Sequence, residues 1–355
     1  MKIAQIMPEF GLAGAEIMCE NLTYELRKAG HEVVVVSMYD YHSAITDRLE
    51  AAGVEVRYLG KKPGLDPSMI VKMWKVFRET GVEVIHTHRY CAQYAMPAAM
   101  LAGVKHRVHT LHSVALIENK KKAARQLNKF FYKHCHLIPV SLSGLVKESV
   151  VESYQLAPDK VPMIFNGIDL SKCLPKEDYA RKGNFKILHI GRFSEEKNHM
   201  GLITAFGKFH GNHPDSELCL IGDGKLRPDA QAFAAEKGLE DAVKFLGLQS
   251  NVYGYMHDAD VFALTSNFEG IPMTLIEAMG TGLPVVATRV GGIPDMLDDD
   301  SALLVPVDMD AVAEAFEQYY CDEMMRQNRG KAAASRAAGF SARIMAENYL
   351  RIYEM

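Results

Sequence analysis

Twelve short runs of β-branched and aliphatic residues, with helix-like stretches between them, limit what this chain can fold into more than any other feature. The first six are Ile3–Met7, Val33–Ser37, Val54–Leu59, Val82–Ile85, Arg107–Thr110 and Leu137–Val140. After a break the pattern repeats as Lys186–Ile190, Glu217–Ile221, Val243–Leu246, Val261–Leu264, Pro284–Thr288 and Ala302–Val305. Stretches such as Ala15–Ala29 and Ser68–Thr80 carry helical patterns in between. Strands alternating with helices call for a parallel sheet covered on both faces. The predicted class is α/β, with two Rossmann-like doubly wound domains facing a cleft. The break falls between Pro162 and Pro175, rich in turn formers and containing Asn166-Gly167. The expected boundaries are 1–165 for the first domain, 166–184 for a linker and 185–338 for the second domain. Gly339 then interrupts the last helical pattern and Ser341 is a good N-cap, so 339–355 should form a helix, Ala342–Tyr353, that crosses back to the first domain.

With 355 residues the length suits two domains. Charge is unevenly spread: residues 1–170 hold 21 Lys+Arg against 17 Asp+Glu, whereas the remainder holds 19 against 27. The more positive half is the one to meet an anionic partner. The six cysteines are scattered, with no C-x-x-C pair or metal-finger spacing, which points to a reduced, cytoplasmic protein. The first residues lack the apolar core of a signal peptide, and no stretch nears the ~18 apolar residues of a membrane span. Any membrane contact should therefore be peripheral. Nothing in the pattern calls for nucleic acid.

Three segments could carry chemistry. Gly11-Leu12-Ala13-Gly14-Ala15-Glu16 follows the first strand and opens a helix, where small residues let backbone amides approach a phosphate. A nicotinamide site would want G-x-G-x-x-G; the spacing here is wrong, although Asp40 follows the second strand as such a site would require. Gly191-Arg192-Phe193-Ser194-Glu195-Glu196-Lys197 places two cations at a strand's carboxyl end, where open α/β sheets bind ligands; a guanidinium and an ammonium there suit a diphosphate. The most specific segment is Glu269-Gly270-Ile271-Pro272-Met273-Thr274-Leu275-Ile276-Glu277. Pro272 reads as the first helical residue, which leaves Glu269 in the preceding loop. Glu277 leans back toward the helix start, so both carboxylates and the free amides of Gly270–Met273 can face one ligand bearing hydroxyls and phosphate.

Together these residues resemble the retaining glycosyltransferases of family 4, which have the GT-B fold. The likeness spans nearly the whole chain: loop 11–16, His86-Thr87-His88, Asn166-Gly167-Ile168-Asp169, Gly191-Arg192 with Lys197, Gly222-Asp223-Gly224, and Glu269 with Glu277. Ala13 departs from the family's usual Gly. The resemblance implies a nucleotide-sugar donor, with UDP the expected carrier, and a saccharide or lipid-linked acceptor. Arg192 and Lys197, in the loop opened by Gly191, would hold the diphosphate. Glu277 would take the ribose hydroxyls and Glu269 the sugar hydroxyls. Gly270, Ile271, Pro272 and Met273 would add backbone contacts, and Gly14 would face the phosphates from the other domain. The base would lie against Gly247, Leu248 and Gln249.

The histidines divide differently. Strand alternation puts His86 and His88 on one face, but no third ligand completes a metal site, so a polar strand end on the acceptor side is expected. His112 follows another strand; the resemblance places it near the transferred sugar, and a purely structural histidine is the competing reading. Neither a metal nor another cofactor is expected. Stabilisation of the leaving diphosphate by Arg192, Lys197 and helix amides would supply the catalysis. Rival readings are a nucleotide-sugar 2-epimerase on the same fold, which should lack the paired glutamates, a nicotinamide-dependent oxidoreductase, and a sugar-nucleotide binder without turnover. Lastly, residues 119–133 read as a basic amphipathic helix. Ala123, Leu127, Phe130 and Phe131 form an apolar stripe, and Lys120, Lys121, Lys122, Arg125, Lys129 and Lys133 lie mostly outside it, which suits electrostatic docking on an anionic membrane.

Overall fold

The structure, a computed structural model, describes residues 1–11 and 13–355. Leu12, part of the expected phosphate-binding loop, lies outside the described residues. The chain forms two compact units, Met1–Gly167 with Ala342–Met355, and Ile168–Ser341. Residues 168–184, expected as a linker, belong to the second unit.

The first unit holds β1 (Lys2–Met7), β2 (Glu32–Ser37), β3 (Glu55–Tyr58), β4 (Val84–His88), β5 (His106–Leu111) and β6 (Leu137–Ser141). They pair in parallel in the order β3-β2-β1-β4-β5-β6. The second unit holds β7 (Phe185–Ile190), β8 (Ser216–Ile221), β9 (Val243–Gly247), β10 (Val261–Leu264), β11 (Val285–Thr288) and β12 (Leu303–Val305), in the order β12-β11-β10-β7-β8-β9. Both sheets are thus doubly wound. Each reverses its strand order once, between β1 and β4 and between β7 and β10. The α/β class is the one expected, and all twelve strands are present.

Hydrophobicity explains the order. Val33, Val34, Val35 and Val36 of β2 are all buried, as befits a parallel strand covered on both faces. β3, at the edge, alternates between exposed and half-buried residues and is shorter than its apolar run. β4 differs most from expectation, starting at Val84 and continuing through His86, Thr87 and His88. Their polar side chains can extend a buried strand because each finds a buried hydrogen-bond partner. The last helix, Ala342–Tyr353, lies in the first unit and buries Tyr349 and Tyr353 completely. In the second unit the helix His199–Asn212 contributes Leu202, Ile203, Phe206 and Phe209 to the core beneath β7 and β8.

Candidate active site

In open α/β sheets ligands settle at the carboxyl ends of the strands where the order reverses. For the second unit that point lies between β7 and β10, and the two most suggestive sequence segments converge there. Lys197 leaves the loop after β7 and Glu269 the loop after β10; the Lys197 ammonium and Glu269 Oε1 are 2.6 Å apart. The two side chains are only 19% and 8% exposed, so this is a largely desolvated pair rather than a surface contact. Ser266 Oγ donates to the same carboxylate oxygen at 2.5 Å. Arg192 on the same loop as Lys197 is exposed.

Hydrogen bonds to backbone carbonyls hold these loops in place. Asn267 N donates to Glu196 O at 2.7 Å, Asn267 Nδ2 to Glu195 O at 3.0 Å, and Asn198 Nδ2 to Thr265 O at 3.3 Å. On the other side, Gly191 N donates to Ile221 O and Phe193 N to Asp223 O, both at 3.0 Å. A Cβ on Gly222, at φ +141°, would stand 2.0 Å from Gly191 O, so only glycine lets the loops after β7 and β8 close on each other. Sequence reading missed a second clamp. Gly291, at φ +57°, packs so closely that a Cβ would fall 1.7 Å from Glu269 O, and Gly292 N donates to Gly270 O at 3.2 Å. The Gly291-Gly292 pair after β11 was the available signal.

Beyond Glu269 the helix Met273–Gly280 begins, with Pro272 at its N-cap in extended conformation rather than as its first helical residue. Its first amides have no intrahelical acceptor. Glu277, in the second turn, receives a hydrogen bond from the Tyr253 hydroxyl at 3.3 Å. Burial pushes the Glu277 carboxyl up to about 7, against the lowering effects of that bond and of Lys172. Tyr253 opens the short helix Tyr253–Asp258 just beyond the segment proposed for the base. There Gly247 ends β9 with positive φ, Leu248 is exposed, and Gln249 Nε2 donates to Leu246 O at 2.7 Å. Tyr253 was not singled out from the sequence, since a lone tyrosine carries no signal.

In the first unit the strand order reverses between β1 and β4. Gly14 is the exposed first residue of the helix Gly14–Lys28, with Ala13 as its N-cap. Glu16 in the first turn is buried and pairs with Arg89, directly after β4, at 2.7 Å. Asp40 is exposed beside His42, with 3.4 Å between them. The structure corrects the expected place of His86 and His88. Both are fully buried, and all four ring nitrogens are engaged: His86 by the Tyr353 and Thr110 hydroxyls at 2.7 Å each, His88 by His112 and Gln5 at 3.0 Å each. No ring nitrogen is left for an acceptor.

His112 sits just past β5. Burial, then the nearby Arg89 charge, lowers its imidazole to about 3, so it is neutral at ordinary pH. Its amide and that of Ser113 donate to Glu118 Oε2 at 3.0 and 2.9 Å. Burial raises the Glu118 carboxyl to about 7. This carboxylate, six residues past His112, was also missed. The basic segment forms the helix Lys122–His134, with Phe131 and Tyr132 buried while Leu127 and Phe130 remain 38% and 52% exposed.

Two doubly wound parallel sheets, with a cation–carboxylate pair and a helix start at the switch point of the second, fit the glycosyltransferases of the GT-B fold. Residues 174–336 match the profile of the glycosyl transferases group 1, and residues 12–172 that of glycosyltransferase family 4. The chain is 30% identical over 298 residues, 80% of either chain, to the N-acetylgalactosamine-N,N'-diacetylbacillosaminyl-diphospho-undecaprenol 4-alpha-N-acetylgalactosaminyltransferase of Campylobacter jejuni. It is 27% identical over 278 residues to the UDP-Gal:alpha-D-GlcNAc-diphosphoundecaprenol alpha-1,3-galactosyltransferase of Escherichia coli, covering 73% of this chain and 72% of that one. Among solved structures, Anabaena Alr3699/HepE in complex with UDP matches with a TM-score of 0.87 at 19% identity over the full length of both chains. The chain belongs to glycosyltransferase family 4.

The glycine clamp behind Glu269 is directly testable. Gly291→Ala should lower the midpoint of thermal unfolding by several degrees, because positive φ alone costs about 1–3 kcal/mol and the Cβ has no room. Gly211→Ala, at a helical site with nothing within 4 Å, should leave the midpoint unchanged or raise it. Equal midpoints for Gly291→Ala and the wild type would refute the clamp.

Proposed function

We propose that the protein transfers a sugar from a UDP-sugar to a saccharide or lipid-linked acceptor, with retention of anomeric configuration and without a metal ion, in the synthesis of a cell-surface polysaccharide or glycoconjugate. The observation that carries this reading is the convergence of Lys197, Glu269 and the start of the helix Met273–Gly280 at one switch point. As the bond from sugar to diphosphate stretches, negative charge grows on the β-phosphate oxygens. Arg192, Lys197 and the helix amides are the groups that stabilise it, and being held in place beforehand they need no reorganisation. Glu269 orients the sugar hydroxyls and Glu277 accepts from the ribose. His112, neutral, is assigned to the transferred sugar, with Gly14 contributing a backbone amide to the phosphates. The names of the two relatives support a lipid-diphosphate acceptor and an alpha-linked product.

Lys197→Ala and Arg192→Ala should each reduce turnover about 10²-fold or more, the usual loss for one preorganised oxyanion donor. Lys197→Ala also leaves the Glu269 carboxylate without its cation, so its thermal midpoint should fall, whereas exposed Arg192 should be neutral to folding. Proton NMR of fresh product, formed in the presence of EDTA, should show the donor's anomeric configuration. An inverted product, or activity that only added Mn²⁺ or Mg²⁺ restores, would overturn the mechanism.

Donor binding should depend on pH through Glu277. Its carboxyl titrates near 7 in the free protein, and the ionised form is the better acceptor for ribose hydroxyls. UDP affinity should therefore rise as pH increases through 7 and level off above it, and Glu277→Gln should flatten the profile. A wild-type profile flat between pH 6 and 8 would remove Glu277 from ribose recognition.

No helix among the described residues is long and apolar enough to cross a membrane. Docking at the inner face of the membrane through the helix Lys122–His134 and its flanking lysines would bring the enzyme to a lipid-linked acceptor. Each cation near an anionic leaflet contributes about 1 kcal/mol. Co-sedimentation should rise with the anionic lipid content of vesicles, fall with salt, and drop when Lys120, Lys121 and Lys122 become Glu. Equal pelleting with neutral and anionic vesicles would favour a soluble acceptor.

A further inference from the structure

A continuous chain of buried side chains runs from His112 through the interior of the first unit to the last helix. His112 Nε2 lies 3.0 Å from His88 Nδ1, and His88 Nε2 lies 3.0 Å from Gln5 Oε1. Gln5 Nε2 donates to the Tyr353 hydroxyl at 3.4 Å, which lies 2.7 Å from His86 Nδ1. His86 Nε2 then meets the Thr110 hydroxyl at 2.7 Å, and that hydroxyl meets the Tyr349 hydroxyl at 2.8 Å. Gln5, His86, His88, Thr110, Tyr349 and Tyr353 are all fully buried. Water therefore cannot relax the polarity of the chain, and each link must pair a donor with an acceptor.

That requirement gives the chain a direction. The Gln5 carbonyl oxygen can only accept, and it also receives the Cys19 thiol at 3.8 Å. His88 must therefore carry its proton on Nε2. Burial holds His88 far below its ordinary range, so it is neutral and its Nδ1 is a lone pair. His112 must in turn donate from Nε2. Being neutral as well, it is left with a lone pair on Nδ1, the ring nitrogen outside the chain. On the other side of Gln5 the order continues: Tyr353 donates to His86 Nδ1, His86 Nε2–H to Thr110, and Thr110 to Tyr349.

We propose that Gln5 and Tyr353 are positioning residues for the transfer reaction: acting through His88, they fix His112 as its Nε2–H tautomer, so that it offers the sugar site an acceptor nitrogen, Nδ1, and not a donor. The last helix thereby contributes to the first unit's site without approaching substrate, and the buried His86-Thr87-His88 strand becomes the connection between them. The functional consequence rests on the assignment of His112 to the transferred sugar; the tautomer does not.

The test uses the full chain labelled with ¹⁵N at histidine, with long-range proton–nitrogen correlation spectra at neutral pH and the His112 signals identified by their loss in His112→Gln. In the wild type, His112 Nε2 should resonate as a protonated ring nitrogen and Nδ1 as an unprotonated one. Tyr353→Phe deprives Gln5 Nε2 of its partner, and Gln5→Leu removes the acceptor of His88. Each should mix or reverse the His112 pattern and lower kcat about tenfold, as loss of an outer hydrogen-bond partner commonly does. Tyr349→Phe removes a buried hydroxyl from the same helix at the far end of the chain, so it should leave the His112 spectrum unchanged and controls for general loosening. A wild-type His112 protonated on Nδ1, or a Tyr353→Phe spectrum identical to wild type, would overturn the proposal. The expected tautomer shifts together with undiminished turnover in His112→Gln would sustain the chain and remove His112 from the reaction.

Discussion

The contact between Lys197 and Glu269 is the constraint around which the second unit's loops are arranged. A desolvated ammonium and carboxylate 2.6 Å apart must keep each other, since removing one from a pair buried to this degree typically costs about 3–5 kcal/mol. The backbone amide of Asn267 and the side-chain amides of Asn267 and Asn198, each donating to a backbone carbonyl, draw the loops after β7 and β10 together, and Gly291 and Gly222 leave room for the backbone to close behind them. The outcome is a cation, a carboxylate and a helix start held together at one switch point. Preorganisation of this kind is what lets fixed charges act on a developing phosphate charge.

The first unit repeats the device with the charges exchanged. Glu16 on the helix after β1 pairs with Arg89 after β4 at 2.7 Å, again bridging the two strands where the order reverses. Arg89 adopts positive φ, a conformation a non-glycine residue holds only when its surroundings demand it, and the buried Glu16 carboxylate supplies one such demand. Its charge also helps keep His112 neutral. Both units thus place an ion pair at the position where the fold offers a ligand site.

Much of this was legible in the sequence because the relevant signals are local. A run such as Val33–Val36 announces a buried parallel strand, and the loops that carry Arg192, Lys197 and Glu269 follow such strands directly. What stayed hidden depends on partners distant in the chain. Nothing near His86 and His88 shows that Tyr349 and Tyr353, more than 200 residues on, would enclose them; strand alternation alone left them at an acceptor surface. Glu118 and Tyr253 matter through the backbone amides and the carboxylate they meet, which no spacing rule encodes. Pro272 fell one place outside its helix, a margin within which proline tolerates either position.

The claim that the β7–β10 switch point is a diphosphate site is tested most directly by calorimetric titration of UDP into the wild type and into Arg192→Ala, whose exposed side chain leaves the fold undisturbed. The account predicts saturable binding to the wild type and an affinity at least tenfold weaker in the variant, with equal thermal midpoints for the two ligand-free proteins. Equal UDP affinity in both would contradict it.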